Sequence, residues 1–85
     1  MMNCAPGKEF VFKTPAGGVV GRAENVGELA GLIRTAPLDA VVFHAKGRHF
    51  SPWLEMLGEK QLAERLKTLP INDKTIRIAL LRVSR

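Results

Sequence analysis

The chain has 85 residues, 46% of them hydrophobic and 25% charged, which is enough for one domain with a single core and too little for a second. Thirteen Lys and Arg outnumber eight Asp and Glu, and the resulting net charge of +5 favours anionic partners, although no run of four basic residues localises them. This composition excludes a disordered chain, the lone Cys4 excludes an internal disulfide framework, and no apolar run approaches the roughly 18 residues of a membrane span.

Residues 1–8 are small or structure-breaking and lack the apolar stretch of a signal peptide, so they are expected to fray and the protein to be soluble and cytoplasmic. EFVFKT then alternates, with Phe10 and Phe12 on one face and Val11 on the other, which predicts a strand. PAGG supplies a turn and VVGRA a second short strand, giving a hairpin over residues 9–23. Asn25, with Glu28 three residues on, opens a helix whose apolar face is Val26, Leu29, Leu32, Ile33 and Ala36, and Pro37 ends it.

LDAVVFHA has a continuous apolar centre, Ala40 to Phe43, and reads as a strand covered on both faces. Ser51 is placed to cap a helix with Pro52 at its first position and with Trp53, Leu54 and Leu57 buried. Gly58 breaks that turn, and Leu62, Leu66 and Leu69 carry a further helix as far as Pro70. NDKTIRIALLRVSR fits strand or helix by pattern, with helix favoured: Ile76, Ala79, Leu80 and Val83 share a face, and Ile78 and Leu81 lie opposite, beside Lys74 and Arg85. The predicted fold is a small two-layer α+β domain, a three-stranded sheet built from the N-terminal hairpin plus one strand, with three to four helices.

The chemistry-bearing residues concentrate in FHAKGRHFSPWLEMLG, residues 43–58. His44 and His49 are five apart, but a zinc site needs at least three protein ligands and no cysteine pair or second histidine pair completes one. No metal or other cofactor is therefore expected. Ser51 follows His49 by two residues, yet no acidic residue is near to orient the histidine, so no catalytic residue is assigned and the protein is not expected to be an enzyme. TPAGGVVG lacks the Gly-Lys-Ser/Thr ending of a phosphate loop and reads as a hairpin turn. Lys46, Arg48 and His49 precede a helix start, an arrangement suited to anions, and Phe50 and Trp53 could stack on bases.

The stretches FVFKTPAGG, GELAGLI, VVFHAKGRHFSPWLEMLG and KQLAERL together resemble a family of small archaeal and bacterial domains of unknown function. The resemblance rests on Phe43, His44, Phe50, Trp53, Leu57, Gly58, Glu59, Leu62 and Ala63 and covers most of residues 9–69. Two features depart from the family pattern: Arg48-His49 stands where Gly-Asp is common, and Glu59 where Asp is commoner. The resemblance implies a helical C-terminus and leaves the activity open.

The leading expectation is a non-catalytic binding or protein–protein interaction module whose surface includes Ile78 and Leu81, with a protein partner or a second copy bound there. The alternative is nucleic-acid or phosphate binding through Lys46, Arg48, His49, Arg77, Arg82 and Arg85, with Lys74 nearby. No membrane partner is expected.

Overall fold

The computed structural model describes residues 2–84. Among these, two strands and five helices follow in chain order: β1 (Phe10–Lys13), β2 (Val19–Ala23), α1 (Val26–Thr35), α2 (Leu38–Lys46), α3 (Phe50–Met56), α4 (Lys60–Lys67) and α5 (Ile76–Val83).

The strand alternation in β1 buries Phe10 and Phe12 and leaves Val11 and Lys13 exposed. β1 pairs antiparallel with β2, Phe10 opposite Ala23 and Phe12 opposite Gly21, and the register slips before Lys13 meets Val19, so that Val20 is the extra residue of a bulge. Gly17, at φ +94°, closes the turn, and Gly18 N–H donates to Thr14 Oγ1 at 3.1 Å. β2 lies close to α1 because Gly21 has no side chain: a Cβ there would be 2.8 Å from Leu32 Cδ2.

Asn25 caps α1 by accepting the Glu28 N–H at 2.9 Å, while Glu28 reaches back to accept the Glu24 N–H at 2.7 Å. Arg77 of α5 holds the other end of α1, donating to the carbonyls of Arg34 and Ala36. This places a cation where the helix dipole is negative and ties α5 to the α1–α2 junction.

The core centres on an aromatic group. Phe10 stacks on Phe50 at 5.3 Å between ring centroids and meets Trp53 edge-on at 5.7 Å, and Phe12 stands 5.9 Å from Phe10. Leu29 and Ile33 of α1, Leu54 of α3, Ala63 and Leu66 of α4, and Ile76 and Leu80 of α5 extend it. Trp53 Nε1–H donates to the Lys8 carbonyl at 2.8 Å and Cys4 N–H to the Glu24 carbonyl at 2.7 Å, which lays the N-terminal segment along the hairpin and α3.

Two expectations are corrected. Among the described residues the sheet has two strands, because LDAVVFHA forms helix α2, and there are five helices where three to four were expected. The physical reason lies in the burial pattern of that segment: Ala40, Val41, His44 and Ala45 are buried at helical spacing, so one stripe of a helix hides what the apolar run suggested a two-faced strand would hide. The Lys13 N–H at the end of β1 finds its acceptor in the His44 side chain instead of a third strand. The second correction concerns Ser51, which does not cap α3. The helix begins at Phe50, two residues before Pro52, and the buried Ser51 Oγ donates to the Ala63 carbonyl at 3.0 Å, joining α3 to α4.

Candidate functional site

α2 ends in a turn that the residues KGRH build by a division of labour. The Arg48 N–H donates to the Ala45 carbonyl and the His49 N–H to the His44 carbonyl, each at 3.1 Å, the two bonds that close a helix through a left-handed residue. Here that left-handed residue is Arg48, at φ 56°, although glycine normally takes the position. The strain, on the order of 1 kcal/mol, is offset by the guanidinium, which donates to the carbonyls of Leu69 at 3.3 Å and Leu66 at 3.5 Å at the end of α4.

Gly47 sits one residue earlier, at an ordinary φ of −76° that needs no glycine. What it provides is room. A Cβ at Gly47 would lie 2.3 Å from His49 Nε2, so the missing side chain seats the His49 ring.

The turn thereby folds His49 back onto His44. Their Nδ1 atoms are 3.0 Å apart, and His44 Nε2 is 2.9 Å from the Lys13 backbone nitrogen. A backbone N–H only donates, so His44 Nε2 accepts and the ring's proton is on Nδ1, from which it donates to His49 Nδ1. His49 consequently keeps its own proton on Nε2. His44 is 2% exposed and ringed by Phe10, Phe12, Phe43 and Phe50 at 4.8–5.8 Å between centroids. Burial pushes it down from 6.5 to about 4, assisted by the adjacent His49 and by Lys13.

The opposite stripe of α2 faces a groove of about 740 Å³. Leu38, Asp39, Val42, Phe43 and Lys46 line one wall, and Pro15 of the hairpin turn, Gly47, His49 and Asp73 complete it. Leu38 is 46% exposed, and Val42 and Phe43 are half-buried. α2 thus buries Ala40, Val41, His44 and Ala45 on its core side and lines the groove with the exposed Leu38 and the half-buried Val42 and Phe43, of which Val42 also packs against the core. Lys46 Nζ is 3.3 Å from Asp73 Oδ2 across the groove, an exposed ion pair of little energetic weight.

Of the residues singled out from the sequence, Lys46, Arg48 and His49 meet at this turn, while Arg77 and Arg82 lie on α5; Arg85 lies outside the described residues. Lys46 pairs with Asp73, Arg48 and Arg77 grip helix-end carbonyls, and Arg82 is exposed. Ile78 is 56% exposed on α5, whereas Leu81 packs partly against the core. Sequence reasoning missed the groove residues Leu38, Asp39, Val42, Phe43 and Asp73 and the bond between the histidines. Their signal is the spacing Leu38, Val42, Lys46 and Asp39, Phe43, which is visible once the segment is read as a helix.

No group of three metal-ligating side chains occurs among the described residues, and none of their helices is long and apolar enough to cross a membrane. Compared with protein-family models, characterised proteins and solved structures, the chain matches none. Phe50, Trp53, Leu57 and Ala63 are core, and Gly58 follows α3 at φ +85°.

Two outcomes follow from the histidine pair. The unfolded chain binds a proton at His44 near its ordinary value of 6.5 and the folded chain only near 4, so stability is complete above the first value and falls as pH drops through the window between them. Urea unfolding should show a loss of about 3 kcal/mol across that window, which His44→Gln should flatten. In helical backbone, alanine ordinarily stabilises by about 0.5–1 kcal/mol relative to glycine. Gly47→Ala is expected to give no such gain, because its Cβ displaces His49, and urea midpoints at neutral pH decide the sign.

Proposed function

We propose that this protein is a non-catalytic protein-interaction module and that the groove along α2 is its docking site. One observation carries the reading: the exposed Leu38 and the half-buried Val42 and Phe43 line an open groove on the stripe of α2 opposite Ala40, Val41 and Ala45. Apolar side chains of this size, held outward and rimmed by polar groups, mark surfaces that a partner covers.

The rim states the partner's chemistry. Asp39 and Asp73 stand against Lys46, so the groove lining holds one more carboxylate than ammonium on a chain whose net charge is +5. A protein segment with an apolar side chain flanked by basic residues complements it. Ile78, exposed on α5, extends the interaction surface beyond the groove. Anion or nucleic-acid binding has less support, because Lys46, Arg48 and Arg77 already hold partners within the chain. The free thiol of Cys4 fits a cytoplasmic setting.

A library of displayed peptides selected on the dilute protein tests this. Enriched peptides should carry an apolar residue beside Lys or Arg, shift the amide signals of Leu38, Val42, Phe43 and His49, and lose at least tenfold in affinity on Val42→Glu. Failure to enrich any peptide, or binding that Val42→Glu leaves intact, contradicts the reading.

A further inference from the structure

The structure assigns the occupant of the groove to a second copy of this chain: Ile78 of one copy, flanked by Lys74 and Arg82, enters the groove of another, and the exchange is reciprocal. This rests on the groove being a protein-docking site and adds the identity of what docks.

Ile78 is the large apolar side chain that α5 leaves exposed, at 56%. Lys74 lies in the turn that leads into α5, four residues before it in the chain, and Arg82 one helical turn after, both exposed, so the knob is apolar at its centre with a cation on either side of it in the sequence. The groove has the inverse pattern, apolar along Leu38, Val42 and Phe43 and acidic at Asp39 and Asp73. Asp73 pairs with Lys46 in an exposed contact, and exchanging that partner for a basic residue of another copy costs little.

Position on the fold also favours a closed pair. Arg77, next to Ile78, grips the Ala36 carbonyl, and α2 with its groove-lining Leu38 starts two residues beyond Ala36. Asp73, at the groove's other wall, comes shortly before α5 in the chain. Knob and groove therefore neighbour one another on the same molecule. A twofold axis beside them satisfies both at once, whereas a knob and groove on opposite faces would propagate an open chain. The net charge of +5 opposes association in general, and pairing the acidic groove with the basic knob removes that opposition locally.

Sedimentation velocity of the full chain, from tens of micromolar to millimolar, tests the inference. The wild type should pass from monomer to dimer. Ile78→Asp and Val42→Glu, both at positions outside the fully buried core, should each weaken dimerisation at least tenfold with unchanged helical circular dichroism. Asp39→Lys should weaken it as well, and adding Arg82→Glu to Asp39→Lys should restore part of the loss. A wild type that stays monomeric throughout overturns the second-copy assignment, while peptides selected on the groove would still uphold the docking site. A dimer indifferent to either Ile78→Asp or Val42→Glu also overturns it, and places the contact on another surface such as that of Met2 and Met56.

Discussion

His44 lies where the hairpin, α2 and the turn after α2 meet, and it can satisfy all three only as a neutral ring. Its Nε2 accepts the end of β1 through the Lys13 N–H, its Nδ1–H reaches His49, and its faces are closed by phenylalanine rings. An imidazolium could not accept from Lys13 and would be buried with no counter-charge against it. One side chain thus accepts the bond at the end of β1, braces the turn after α2 and completes an aromatic core. In a domain this small, where the surplus of burial over chain entropy is slight, that concentration of roles makes the protonation state of one residue a condition of folding.

The KGRH turn is the second consequence. Glycine and the left-handed conformation are separated by one residue: Gly47 is spent on the space His49 needs, and Arg48 accepts the strained backbone while its guanidinium ties α4 to the turn. Held in this way, His49 lines the groove together with Leu38, Val42 and Phe43. The groove therefore depends on the same histidine contact that the fold depends on.

Much of the fold was legible in the residues, and its failures have physical causes. Phe10 and Phe12 alternate about Val11, so β1 could be read directly; Asn25 and Glu28 cap α1 as their spacing predicts. LDAVVFHA misled because four consecutive apolar residues suit a doubly covered strand as well as a helix with one stripe in the core and another at a groove. Ser51 misled because its neighbours favour a cap, whereas the decisive partner, the Ala63 carbonyl, is twelve residues away. The basic residues could be named from sequence, but their engagement with helix-end carbonyls and with Asp73 arises only from packing. The candidate site was half legible: the turn was visible, and the groove beside it was hidden by the strand reading.

The tautomer and charge of His44 test the central claim most directly. Long-range nitrogen–proton NMR correlations of the two imidazoles distinguish all three ring forms. Near pH 5.5, about one unit below the ordinary histidine value, His44 should be neutral with its proton on Nδ1 and an unprotonated Nε2. A doubly protonated His44 at that pH, or a proton on Nε2, would contradict the account.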